Sequence, residues 1–119
     1  MGELIGHVAP DGASASPPVQ RGRLLDPSAA PADGERVEPL VRVRNLAVEQ
    51  ILSGRLETPV DYRQEQDEWV VLLAGSAVLD VDGERLELRP GDWVLVESGA
   101  PHRLERAEPG TSWLTVHLW

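Results

Sequence analysis

Residues 37–119 break into short apolar runs separated by turn signals, and no stretch of ten residues keeps a helical period. Residues 40–43 and 46–52 are rich in Val, Ile and Leu. Glu68 opens a continuous apolar run to Leu73, the pattern of a strand buried on both faces. Residues 76–82 alternate, with Ala77, Leu79 and Val81 on one face and Val78 and Asp80 on the other. Asp82-Gly83 predicts a two-residue hairpin, because a type I′ turn needs positive φ at both central positions. Residues 85–89 alternate with Leu86 and Leu88 inward. Pro90-Gly91 suits a type II turn, Pro supplying φ near −65° and Gly the positive φ. With residues 93–96, 102–105 and 112–118 the set comes to roughly eight or nine strands, an all-β sandwich or barrel.

Residues 1–35 lack this pattern. Residues 10–18 read Pro-Asp-Gly-Ala-Ser-Ala-Ser-Pro-Pro, and a second small-residue stretch follows Leu24-Leu25. Such composition makes 1–35 a mobile or extended N-terminal arm and 36–119 the barrel. Leu24 and Leu25 are the candidates for pinning the arm to the barrel.

Length and charge narrow the function classes. The 119 residues make one domain with a modest core. Net charge is −9, from 20 acidic and 11 basic side chains, which disfavours nucleic acid and anionic membrane as partners. Without Cys there is no disulfide, thiolate nucleophile or Cys-based zinc site. There is no signal-peptide pattern and no apolar run approaching the ~20 residues of a membrane span, so a soluble, cytoplasmic protein is expected. The four Trp are matched by one Tyr and no Phe, and Trp69, Trp93 and Trp113 lie inside apolar runs. Residues so placed pack a core or an interface.

Two motif remnants stand out. Glu68 and Gly75 are separated by six residues, and Gly91, Gly99 and His102 follow in order. In this spacing they resemble the two signature motifs of the cupin superfamily. The first motif carries His-x-His ahead of its Glu, and counting back puts those positions at Tyr62 and Gln64. The second carries Pro and Asn where this chain has Glu97 and Arg106. More narrowly, the chain resembles small single-domain cupins with an Asp-Glu-Trp-Val-Val-Leu-Leu strand and a closing Trp-Leu-x-Val-His strand, here residues 113–117. The resemblance implies an RmlC-like cupin, a double-stranded β-helix or jelly-roll barrel behind an extended N-terminal arm.

It also implies a site. Glu68 and His102 fall where cupins keep two metal ligands. On a regular strand Tyr62, Gln64, Gln66 and Glu68 share one face, which would turn Tyr62 and Gln64 toward the same ion. One divalent ion, manganese, iron or zinc, is the implied cofactor, and the imidazole-poor donor set suits manganese best. Glu65 and Asp67, of opposite parity, are expected in solvent. Without a metal, Glu68 or His102 would act as general base, burial raising the Glu pKa toward neutrality. Three readings stay open: a small-molecule enzyme using Glu68 and His102, a non-catalytic small-ligand binder, and an interaction protein. The plain alternatives are a strand-end acid at Glu68 and a strand-bridging structural His102. On the last strand Leu114, Val116 and Leu118 read as the core face. That reading sends Trp113, His117 and Trp119 outward into a homodimer interface. Arg103 is a solvent or mouth residue, and His7 lies in the arm.

Overall fold

A computed structural model describes residues 16–119. His7 lies outside the described residues. After a 3₁₀ turn at Pro27–Ala29, nine strands follow: β1 (Glu35–Val43), β2 (Leu46–Ser53), β3 (Val60–Tyr62), β4 (Asp67–Ala74), β5 (Ala77–Val81), β6 (Glu84–Leu88), β7 (Trp93–Val96), β8 (His102–Ala107) and β9 (Thr111–Leu118). They form two antiparallel sheets in the orders β1-β2-β9-β4-β7 and β3-β8-β5-β6, a jelly-roll fold. No helix among the described residues is long and apolar enough to cross a membrane.

The turn chemistry operates as the residues dictate. Asp82 and Gly83 take φ of 50° and 90°, closing the β5–β6 hairpin. Gly91 takes φ of 95°, and the Asp92 N–H donates to the Arg89 carbonyl across the turn (3.0 Å). At Gly75, with φ of 91°, a Cβ would sit 2.3 Å from Thr111 Oγ1. That close approach packs the end of β4 onto the start of β9 and admits no side chain. Pro39 falls in β1, an edge strand with a register shift after it, where a missing N–H costs least.

The core lies between the sheets, where Val70, Leu72, Leu79, Leu104 and Trp113 pack together. The outer face of the larger sheet behaves differently at its two ends. On β2, Gln50 is buried although its neighbours Glu49 and Ile51 are the residues that turn inward. Its amide accepts from the Leu25 N–H (2.8 Å) and donates to the Leu25 carbonyl (2.9 Å) and to Ser112 Oγ (3.1 Å). Leu25 is thus held to the sheet through its backbone. Further along, the Arg55 N–H donates to the Ala32 carbonyl, and Pro31 passes so close to Gly54 that a Cβ there would meet the Pro31 carbonyl.

At the β4–β7 end no element among the described residues covers the outer face. The expectation that residues 68–73 are buried on both faces fails here: Glu68, Val70 and Leu72 are buried, Trp69 and Val71 are half-buried and Leu73 is exposed. Trp93 and Leu95 on β7 also face outward, 61% and 50% exposed. β7 is the sheet's edge, and no element among the described residues pairs beyond it.

Candidate functional site

Tyr62 ends β3 and Glu68 lies just inside β4, and residues 63–66 between them leave the sheet. The regular strand expected over 62–68 is therefore broken. Tyr62, Gln64 and Glu68 still line one cavity, because the loop after β7 ties this segment in place. The Gly99 N–H donates to the Gln64 carbonyl, and the Ser98 N–H to Asp67 Oδ1, both at 2.8 Å. Asp67 is accordingly a loop anchor, and the two motif segments hold each other.

The cavity measures about 230 Å³ and lies between the sheets. Apolar residues, among them Ile51, Val70, Leu79, Val96 and Leu104, form its walls. Its polar groups are Glu35, Glu49, Glu68, Tyr62, Gln64, His102, Thr115 and His117, with Trp113 beside them. A small cavity with apolar walls and a few convergent polar groups is the usual form of a small-molecule site.

Glu68 and His102 face each other at the centre. Glu68 Oε1 lies 3.6 Å from His102 Nε2 and accepts from Gln64 Nε2 at 2.7 Å. Burial pushes the Glu68 carboxyl up, but His102, Gln64 and the nearby His117 together hold it below its ordinary value. The expectation that burial would carry this carboxyl toward neutrality is thus reversed. Burial likewise pushes His102 down, while Glu68 and the Ala100 carbonyl raise it above its ordinary value. The geometry accounts for the sign. His102 Nδ1 faces the Ala100 carbonyl at 3.2 Å and Nε2 faces the carboxylate, so only the imidazolium satisfies both.

Tyr62 pairs with His102 across β3 and β8, their rings stacked at 5.3 Å and 20°. Its hydroxyl donates to Glu35 Oε1 at 2.6 Å, and burial together with Glu35 pushes the phenol far above its usual range. Glu35 also accepts from Ser53 Oγ (3.0 Å), which in turn accepts from Trp113 Nε1 (3.1 Å).

The last strand corrects the expected facing. Trp113, Thr115 and His117 are buried and line the cavity, while Leu114 and Val116 are half-buried and Leu118 exposed on the outside. The reason is position: β9 is the middle strand of its sheet, between β2 and β4, so its inner face meets the polar ends of both neighbours. Gln66 Nε2 donates to His117 Nδ1 at 3.1 Å, and His117 Nε2 lies 3.4 Å from Glu49 Oε1 and 3.9 Å from Glu68 Oε2. Trp119 stays exposed, under the Arg42 guanidinium (4.8 Å). Arg103 lies outside the cavity and pairs with Asp61 at 2.7 Å.

Sequence reasoning thus finds Glu68, His102, Tyr62 and Gln64, and misses Glu35, Glu49 and His117. The one signal for His117 in the sequence is the strand parity it shares with Trp113, and parity does not say which face of a strand turns inward. As metal donors these residues fall short. Among the described residues no three His, Asp or Glu side chains are placed to hold one ion. The Tyr62 hydroxyl is committed to Glu35, and Gln64 turns its NH₂, not its oxygen, toward Glu68.

The cupin domain family matches residues 47–117. Among solved structures, a candidate mannose-6-phosphate isomerase from Ralstonia eutropha is similar over 82% of this chain and 98% of its own, with 31% identity and a TM-score of 0.67. KdgF from Halomonas sp. is similar over 71% of this chain and 78% of its own, with 17% identity and a TM-score of 0.66. A salicylate 1,2-dioxygenase from Pseudaminobacter salicylatoxidans is similar over 75% of this chain and 27% of its own, with 22% identity and a TM-score of 0.62. The last two speak for the fold alone. Comparison with curated proteins gives no match.

Proposed function

The chain belongs to the cupin domain family, and we propose that its cavity binds a small molecule and moves a proton on it, with Glu68 as base and His102 as acid. The observation that carries this reading is the Glu68–His102 pair, 3.6 Å apart and buried, each partner held in its charged form by a second contact. A base must be ionised and an acid protonated at the working pH, and the two environments favour those states.

The chemistry that fits is proton abstraction beside a carbonyl. Glu68 takes the proton from carbon, and the His102 imidazolium donates toward the oxygen on which charge develops. Returning that proton to the former carbonyl carbon, while the adjacent hydroxyl gives its proton to the neutral His102, gives an isomerisation; collapse of the enol with its proton going back to His102, the β-substituent leaving on the proton that Glu68 holds, gives a lyase. Apolar walls thin out the water around the pair and strengthen both interactions. Sugar-isomerase chemistry of the kind in the Ralstonia protein's name belongs to this class.

The test is solvent-deuterium exchange into uncharged hydroxy-aldehydes and hydroxy-ketones, followed by NMR. Exchange should occur with the parent chain and fall by about 10²-fold or more in Glu68→Gln, the usual span of acid–base catalysis. Ligand-dependent thermal stabilisation with no exchange would replace this reading by a purely binding one.

A divalent ion on Glu68 and His102 is the second reading, supported by a carboxylate and an imidazole facing one cavity. Those two donors are fewer than the three or four a protein site supplies. Metal content after purification without chelator decides it. A stoichiometric ion, lost in both Glu68→Ala and His102→Ala, would displace the proton-transfer mechanism. The uncovered β4–β7 face, with Trp93 and Leu95 exposed, supports a homodimer as the working unit.

A further inference from the structure

The segment ahead of Leu25 lies free of its own chain. Residues 16–24 are exposed throughout, Val19 to 85%, and no hydrogen bond or ion pair joins them to the other described residues. Pro17-Pro18 keep its start extended, and Arg21 and Arg23 are the only charged side chains from 16 to 25.

This basic segment is anchored at one end of a row that crosses the outer face of the larger sheet. Leu25 is clamped to Gln50; Gln50 pairs with Leu114, Leu114 with Val71 and Val71 with Trp93. The anchor on β2 and the exposed Trp93 on β7 are thus the two ends of one face. A two-fold axis running along the strands between β9 and β4 exchanges those ends. It lays β7 of a second copy over β2 of the first, about 10 Å away, the spacing of packed sheets.

Charge and area favour the same occupant. β7 presents Trp93 and Leu95 and no charge, with an acid at each end, Asp92 and Glu97. Copies of net charge −9 repel one another, and two arginines beside those acids offset this where the copies meet. The outer face of β9, β4 and β7 offers on the order of 350 Å² to a flat partner, whereas a stable interface buries about 800 Å² per partner. Nine extended residues span about 30 Å, and two such segments supply roughly as much contact again.

We propose that residues 16–24 of each chain lie along β7 of a second copy, Leu24 against Trp93 and Leu95, and Arg21 and Arg23 toward Asp92 and Glu97, so that two arms clasp a two-fold dimer. This rests on the reading of the β4–β7 face as a homodimer contact.

The chain has no Cys, so introduced thiols report without background. Within one chain Leu24 and Leu95 are separated by three strand spacings, about 14 Å, too far for an internal disulfide. Leu24→Cys and Leu95→Cys chains, each oxidised alone, should stay unlinked. Mixed under reducing conditions so that subunits exchange, then oxidised, they should give a disulfide dimer of one chain of each kind, identified by mass with one chain ¹⁵N-labelled. Arg21→Glu together with Arg23→Glu should raise the dimer Kd about threefold to tenfold at low salt. A parent that sediments as a dimer while the mixed chains stay unlinked, or link no faster than each alone, overturns the clasp and leaves the homodimer standing. A Kd unmoved by the two Glu changes does the same. A parent that sediments as a monomer at every concentration overturns both.

Discussion

Tyr62 lies ring-on-ring against His102, 5.3 Å between centroids, while its hydroxyl reaches the other way to Glu35. One side chain thereby orients the acid of the proposed pair and satisfies a carboxylate on the opposite wall. The two roles separate by substitution. Tyr62→Phe keeps the stack but leaves Glu35 short of a donor, and should cost about 1–2 kcal/mol in urea unfolding. Tyr62→Leu should cost about 0.5–1.5 kcal/mol more as the stack is lost. Equal losses in the two variants would show that the ring contact contributes nothing.

The central pair makes stability depend on pH at both ends. Glu68 is held below its ordinary value, so its contribution is present above the carboxylate range and is lost as pH falls through the depressed value. His102 is raised above its ordinary value, so its contribution is full below that value and is lost as pH rises through the raised one. The unfolding midpoint should therefore be highest between these two points. In Glu68→Gln the alkaline decline should flatten, because His102 no longer faces a carboxylate. An alkaline limb unchanged in that variant would mean that Glu68 does not hold the imidazolium.

Two tryptophans of similar sequence context should behave oppositely. Trp113 is buried beside Ser53, so Trp113→Ala should cost about 3–5 kcal/mol and leave the oligomeric state alone. Trp93 is exposed on the uncovered sheet face, so Trp93→Glu should change stability of the single chain by less than about 1 kcal/mol. It should also shift the sedimentation coefficient from dimer toward monomer. Parent and Trp93→Glu chains sedimenting alike would remove this face as the dimer contact.

Gln50 spans the arm and the sheet with three hydrogen bonds from a buried amide. Gln50→Leu leaves both Leu25 backbone groups without that partner, at a cost of about 1–3 kcal/mol. Limited proteolysis should then cut ahead of β1 sooner than in the parent. Identical cleavage rates would show that the clamp does not hold the arm.

The turns were legible residue by residue. Asp82-Gly83 and Pro90-Gly91 each require φ values that few residues adopt, so local chemistry alone places them. Glu68 and His102 were legible because one motif segment braces the other, Gly99 against Gln64 and Ser98 against Asp67, and such bracing needs set spacings. Glu35 and Glu49 could not be found this way. A single acid on a strand reads as solvated, and only the pairing of β1 with β2, and of β2 with β9, swings both toward the cavity.

His117 marks the boundary most sharply. Period-two alternation put Trp113, Thr115 and His117 on one face of β9 and Leu114, Val116 and Leu118 on the other, and that grouping follows from the pleat of any strand. Which face turns inward does not follow from it. The tertiary structure decided this by seating β9 between β2 and β4, where an inner Trp, Thr and His find Ser53, Glu49 and Glu68 as partners. The greasier trio could be left outside because burial of polar groups is favourable when each meets a partner, and apolar groups at a sheet surface can wait for another surface to cover them. The sequence by itself determined the turns, the strands other than β3 and four residues of the cavity; the strand order decided which face of β9 turns inward, and with it the rest of the cavity.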